Sequence, residues 1–234
     1  CRGQAGCQQQ QQRQRAARAE SLAGQGEPLV LLHGFPTASW DWSRVWPMLA
    51  RHYNLLTVDM LGFGFSDKPR NYRYSIEDQA DLVQGWIEGL GLPGIHLLAH
   101  DYGSTVAQEL LARDQEGGLG FTVDSLCLLN GGIFPEVHNP LLIQRVLGSP
   151  LGGLISRGLT RSMFERNFCR LFGSRNPPGP QEMDEFWHLL TYNNGRGILH
   201  ELIHFMEERR CPRNRWVGAL QNARQPMRLI SGTA

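Results

Sequence analysis

The stretch Leu97-Leu98-Ala99-His100-Asp101-Tyr102-Gly103 constrains the fold of this chain more than any other. The apolar run 95–98 reads as a buried strand, and Val106, Leu110 and Leu111 fall on one face of a following helix. Between them the chain has to turn sharply, and Ala99 and Gly103 are the small residues that let it do so. Such an elbow lifts the side chain at its tip to the carboxyl edge of a sheet, where a nucleophile can stand exposed. The tip residue here is Asp101. Its carboxylate is a candidate nucleophile that attacks an electrophilic carbon and forms a covalent ester. The plainer reading is an N-cap for the helix, a position that aspartate favours. No Gly-x-Ser-x-Gly occurs in the chain, which argues against an ordinary serine esterase.

Around the elbow, strands and helices alternate. Residues 29–32 and 55–59 are short apolar runs of the kind that sit inside a parallel sheet. An aromatic-rich helix is expected over about 40–50. A second is expected from Ser75, where an acid three residues on gives capping-box spacing, to a stop near Gly91. Residues 123–129 form another apolar strand, and 227–230 look like a later return to the sheet. This order predicts an α/β fold: a mostly parallel sheet with helices on both faces. Between about 136 and 217 only helical patterns occur, such as 141–147 and 182–190, which predicts a helical cap over the strand ends. Residues 1–27, with a glutamine run at 8–12 and few apolar side chains, read as a disordered tail; residues 28–234 read as one domain.

Composition narrows the classes of function. With 23 basic and 22 acidic residues the net charge is +1, which gives no electrostatic reason to expect nucleic acid as a partner. The five cysteines show neither metal-ligand nor redox spacing, so Cys127 is expected in a strand core and the others as free thiols. No apolar run approaches the ~18 residues that cross a bilayer, and no signal peptide is recognisable. The chain by itself is therefore expected to be soluble. It starts at cysteine and stops just past an apolar run, so both ends look cut and the sheet is expected to be incomplete.

Four further places bear on chemistry. The loop His33-Gly34-Phe35-Pro36 directly follows a core strand, so the Phe35 backbone N–H, with that of Tyr102, is a candidate oxyanion hole. His33 and His100 read as structural. The loop after Asp59, with Gly62 and Gly64, lacks the third glycine of a nucleotide site and reads as a structural turn, so no cofactor is expected. Tyr192 in the cap is a candidate proton donor to a leaving oxygen, weighed evenly against simple packing. The basic run Arg209, Arg210, Arg213 and Arg215 reads as a solvated face.

These motifs, together with Asp59-Met60-Leu61-Gly62-Phe63-Gly64-Phe65-Ser66-Asp67-Lys68-Pro69, resemble the α/β-hydrolase superfamily. The nearest chemistry is its aspartate-nucleophile branch, the epoxide hydrolases and haloalkane dehalogenases. Longer segments, Ala107-Gln108-Glu109-Leu110-Leu111 and Arg215-Trp216-Val217-Gly218-Ala219-Leu220 among them, extend the resemblance to hydrolases of the endoplasmic reticulum membrane. The resemblance implies a small apolar substrate, an aspartyl-ester intermediate, no metal, and membrane association through an anchor not found here. It also implies an acid and a later histidine that hydrolyse the ester. Neither is recognisable before Ala234, and Asn130 occupies the alternative acid position, so the chain is expected to form the ester without turning over. Tyr102 and Phe35 stand where dehalogenases carry halide donors, which disfavours that chemistry. The competing class is a non-catalytic hydrolase-fold protein that acts by binding or in a membrane assembly.

Overall fold

A computed structural model describes residues 20–133, 136, 141–173 and 176–232. Six strands make one sheet: β1 (Glu20–Ala23), β2 (Glu27–Leu32), β3 (Tyr53–Val58), β4 (Gly94–His100), β5 (Thr122–Leu129) and β6 (Met227–Ile230). Their order across the sheet is β1-β3-β2-β4-β5-β6, with β1 antiparallel to β3 and all other pairs parallel. The chain runs from β2 outward to β3 and then returns to lay β4 on the other side of β2. The two strands at this reversal, β2 and β4, end in the His33 loop and the Asp101 elbow. A crevice at the carboxyl ends of strands flanking such a switch point is where open α/β sheets bind ligands.

The apolar runs explain the sheet's place in the core. Val30, Leu31, Leu32 and Leu55 are fully buried, and the central strands are covered on both faces. Two helices pack beside β4: α2 (Ile76–Gly89), after a short α1 (Trp46–Leu49), and α3 (Tyr102–Gln115). Helix α2 starts as its spacing predicts, with the Ser75 side chain accepting from the Asp78 amide at 3.2 Å. Residues 40–50 differ from expectation. In place of one helix there is a 3₁₀ turn (Ser39–Trp42) and the single turn α1, whose start carries Pro47, a residue with no N–H to continue a preceding helix. The expected tail also ends earlier than residue 27: Glu20–Ala23 pairs with β3 and adds an edge strand. Local composition does not reveal this strand, because its partner supplies the ladder. Residues 1–19, including the glutamine run, lie outside the described residues.

Between β5 and β6 the chain is helical: α4 (Leu142–Leu147), α5 (Gly152–Arg157), α6 (Arg161–Phe168), α7 (Pro180–Thr191), α8 (Leu199–Leu202), α9 (Phe205–Glu208) and α10 (Arg213–Gln221). No strand occurs there among the described residues, as the sequence predicts. The expected cap boundary at 217 falls inside α10, which packs along α3 as part of the layer covering the sheet. The reason is a buried charge cluster. Glu109 on α3, with a side chain only 5% exposed, accepts from Arg113 (2.9 Å), from Arg215 (2.8 Å) and from the Trp216 indole (2.8 Å). Arg215 also pairs with Glu116. The two segments that narrowed the sequence resemblance therefore meet across this interface.

Cys127 on β5 is only half-buried, and Cys169 and Cys211 are exposed free thiols. Among the described residues no helix is long and apolar enough to cross a membrane.

Burial opposes ionisation of Glu109, but the hydrogen bonds from Arg215, Arg113 and Trp216 outweigh it and hold the carboxyl below the usual range. A depressed folded-state pKa contributes stability that is present above the unfolded value and lost as pH falls through the folded one. Glu109→Gln is expected to cost about 3 kcal/mol near pH 7. Urea titrations of both proteins should converge below the ordinary glutamate value of 4.5; a constant difference down to low pH would contradict this account.

Candidate active site

Asp101 closes β4 and opens α3 with φ 44° and ψ −104°, a sparsely populated conformation that strains any residue but glycine. Three backbone bonds hold it there. The Asp101 amide donates to the Leu129 carbonyl (3.1 Å), the Gly103 amide to the His33 carbonyl (3.0 Å), and the Ser104 amide to the Asp101 carbonyl (3.1 Å). Gly103 allows the close approach: a Cβ at that position would lie 2.5 Å from the Leu32 carbonyl oxygen. The Asp101 side chain makes no capping bond to α3. Its Oδ2 instead accepts from the Phe35 amide at 3.1 Å, across 66 residues of sequence. The carboxylate therefore sits in the loop after β2, with 30% of the side chain exposed.

The side chains packed around the elbow are aromatic. Tyr102 is buried with ring centroids 5.1 Å from Phe63 and 4.8 Å from Phe205. Phe35 lies 6.3 Å from Phe63 and 6.0 Å from Phe205. Such edge and tilted pairs are worth about 0.5–1.5 kcal/mol each beyond the area they bury. Burial, with Glu208 nearby, pushes the Tyr102 phenol far above its ordinary pKa, so it stays protonated. What Tyr102 offers chemistry is its backbone.

Both histidines beside the elbow are structural, as expected. His33 Nε2 accepts from the Met60 amide at 3.0 Å, tying the loops after β2 and β3 together. His100 turns across Gly34 toward Asp41, with Nδ1 3.7 Å from Oδ2. Burial works to lower the His100 pKa, but Asp41, with a smaller contribution from Asp101, outweighs it and the net shift is upward. Asp41 is fixed in turn by Thr37 (2.6 Å) and the Gly34 amide (3.2 Å). Asp59 receives the Ser39 and Phe65 amides, both at 2.8 Å, so its glycine-bearing loop is a structural turn. Asn130, at φ 44°, accepts from the Gly232 amide.

Tyr192 lies on the cap with its side chain exposed. Its neighbours are Phe65 (5.0 Å), His188 (6.5 Å) and the Lys68 ammonium (5.4 Å), and no hydrogen bond or ring contact joins it to Asp101 among the described residues. Lys68 is itself mostly buried; burial brings its pKa down to about 8 despite Asp59 and Asp67, and Nζ donates to the Ser66 carbonyl at 3.0 Å. His138 lies outside the described residues.

The basic run is a solvated face only in part. Arg210 is exposed beside Glu207, and Arg213 pairs with Glu136. Arg215 joins the Glu109 cluster, and Arg209 is buried beneath the elbow, with Nη2 3.2 Å from the Asp101 carbonyl oxygen and 3.8 Å from Oδ1. Counting charges along the chain hides this. A stripe through Ile198, Leu202, Phe205 and Arg209, spaced four, three and four, is the signal that puts Arg209 on the buried side.

The strand-turn-helix elbow over the sheet agrees with the comparisons. A family model described as alpha/beta hydrolase fold matches residues 27–147. The chain belongs to the α/β-hydrolase fold family. Over 219 residues it is 44% identical to the mesoderm-specific transcript protein of Mus musculus, which covers 90% of this chain. The chain spans 65% of that relative's length. Over 209 residues it is 40% identical to LipZ of Mycobacterium tuberculosis, covering 89% of this chain and 72% of LipZ. The solved structure of the epoxide hydrolase CorEH superposes with a TM-score of 0.70 at 20% identity, over 91% of this chain and 76% of that one. At that identity the likeness is one of fold.

Because a Cβ at Gly103 would press on the Leu32 and His33 carbonyls, Gly103→Ala is expected to force α3 away from β2. A stability loss of about 2 kcal/mol in urea is expected. The Phe35–Asp101 hydrogen bond should weaken as well, read as faster amide exchange at Phe35. Unchanged exchange would show that the elbow does not depend on this contact.

Proposed function

We propose that this α/β-hydrolase uses Asp101 as a carboxylate nucleophile toward a small, apolar, epoxide-like electrophile. The observation that carries the reading is the hydrogen bond from the Phe35 amide to Asp101 Oδ2, made in place of a helix cap. One oxygen is held in the candidate oxyanion hole, formed by the Phe35 and Tyr102 backbone N–H groups, and Oδ1 is left for attack. Oδ1 bonds to a ring carbon as the carbon–oxygen bond opposite breaks. The ring oxygen leaves with the electron pair and takes a proton from water. The product is a hydroxyalkyl ester of Asp101. The partly buried Phe35 ring, packed on Phe205 beside the carboxylate, favours an apolar substrate. Tyr102 and Phe35 at the positions flanking the carboxylate give no indole donors for a halide, so an epoxide fits better than a haloalkane.

Hydrolysis of the ester needs a water-activating imidazole oriented by an acid. Among the described residues no histidine hydrogen-bonds the Asp101 carboxylate, and His100 is engaged with Asp41. The reading is therefore one of ester formation. Placement at the endoplasmic reticulum membrane is part of the same proposal and rests on the sequence resemblance.

Incubation with a panel of terminal and aryl epoxides, followed by peptide mass spectrometry, is expected to give an adduct on the peptide containing Asp101. Asp101→Asn should abolish it while folding normally, because asparagine tolerates positive φ. Across a broad panel, no adduct on the wild-type chain would favour a binding protein that only carries the hydrolase fold.

A further inference from the structure

Arg209 is an expensive residue to bury. Only 2% of its surface is exposed, and burial pushes its pKa down even with Asp101 nearby. Its Nε donates to Thr105 Oγ1 at 2.7 Å and its Nη2 to the Asp101 carbonyl at 3.2 Å, while Nη1 has no hydrogen-bond partner among the described residues. The guanidinium lies 4.4 Å from the Phe205 ring centroid. It fills a hollow that Gly132 leaves open, where any Cβ would collide with Nη1. An unsatisfied buried donor costs about 1–3 kcal/mol, and an apolar side chain of similar volume often replaces a buried charge at no loss of stability. Stability is therefore a poor account of an arginine here.

A guanidinium at this place does one thing that methionine cannot. It holds two groups of the same residue: the Asp101 carbonyl, by a hydrogen bond, and Asp101 Oδ1, by an ion contact of 3.8 Å. The first fixes the peptide plane after a strained φ, and the second limits rotation of the carboxylate. We propose that Arg209 is a positioning residue, carried by the cap, that keeps Asp101 turned with Oδ2 on the Phe35 amide and Oδ1 toward substrate.

The setting supports this. Next to Arg209, both Glu208 oxygens accept from the Ile76 amide at 3.0 Å at the start of α2, and Phe205 packs on both Tyr102 and Phe35. One turn of the cap thus reaches α2, α3 and the loop after β2. Of its side chains, Arg209 alone has a polar contact with Asp101 among the described residues. The geometry of the nucleophile then depends on the cap being seated. Glu208 serves as the comparison, since it anchors the same turn without touching the elbow.

The inference rests on Asp101 acting as nucleophile, and the test separates the two. The limiting rate of Asp101 alkylation, the half-saturating epoxide concentration, the melting temperature and Phe35 amide exchange would be measured for wild type, Arg209→Met, Arg209→Lys and Glu208→Gln. Arg209→Met is expected to lower the limiting rate roughly 30-fold, as a displaced reacting group does. Its half-saturating concentration should stay within about threefold of wild type, with no fall in melting temperature. Phe35 exchange should accelerate at least ~10-fold. Arg209→Lys should recover part of the rate, and Glu208→Gln should keep both rate and exchange. Wild-type rate and exchange in Arg209→Met would overturn the proposal. So would losses of rate and melting temperature that Glu208→Gln reproduces, since those mark a cap anchor. If wild type gives no adduct, the nucleophile reading fails, and Phe35 exchange alone decides: unchanged protection in Arg209→Met rejects the positioning role.

Discussion

The hydrogen bond from the Gly103 amide to the His33 carbonyl holds the rest of the site in register. It joins the first turn of α3 to the end of β2 at a distance that only a residue without Cβ permits. With α3 seated there, Asp101 has no choice but the strained turn, and its carboxylate falls beside the Phe35 amide. The His33 ring extends the connection by receiving the Met60 amide, so the loops after β2, β3 and β4 share one set of bonds. None of these contacts is strong alone, at about 1 kcal/mol each. Their effect comes from fixing three strand ends at the reversal of strand order.

The sheet was readable because its inner strands β2 and β3 are buried on both faces and β5 keeps enough buried apolar positions; residues 29–32, 55–58 and 123–129 all lie in strands. The elbow was readable for a similar reason, since a sharp turn demands small residues at fixed offsets. Glu20–Ala23 was not, because an edge strand draws its hydrogen bonds from a neighbour and needs no apolar signature of its own. The helix expected over 40–50 broke at Pro47, a residue that allows a helix to start but not to pass through.

Side-chain roles were readable where backbone geometry dictates them and hidden where tertiary contacts do. Asp101 and Phe35 meet because two strand ends meet, which the motifs anticipate. Arg209 and Arg215 looked like two charges in one basic run, yet one is buried under the elbow and the other pairs with Glu109. Tyr192 was a candidate by its place in the cap, and its ring faces Phe65 and Lys68. A residue's sign of charge says little about its surroundings when the partner lies a hundred positions away.

Strand β6 bears on what the described sheet can still accept. It pairs with β5 on one side, and its residues are exposed throughout, with Leu229 and Ile230 about half open. Its outer N–H and C=O groups have no strand neighbour among the described residues. An apolar strand with a free ladder is a template for another chain to add on. Among the described residues this edge can still accept a further strand, from the same polypeptide or from another, and a lysine in place of Leu229 is the kind of change that blunts it.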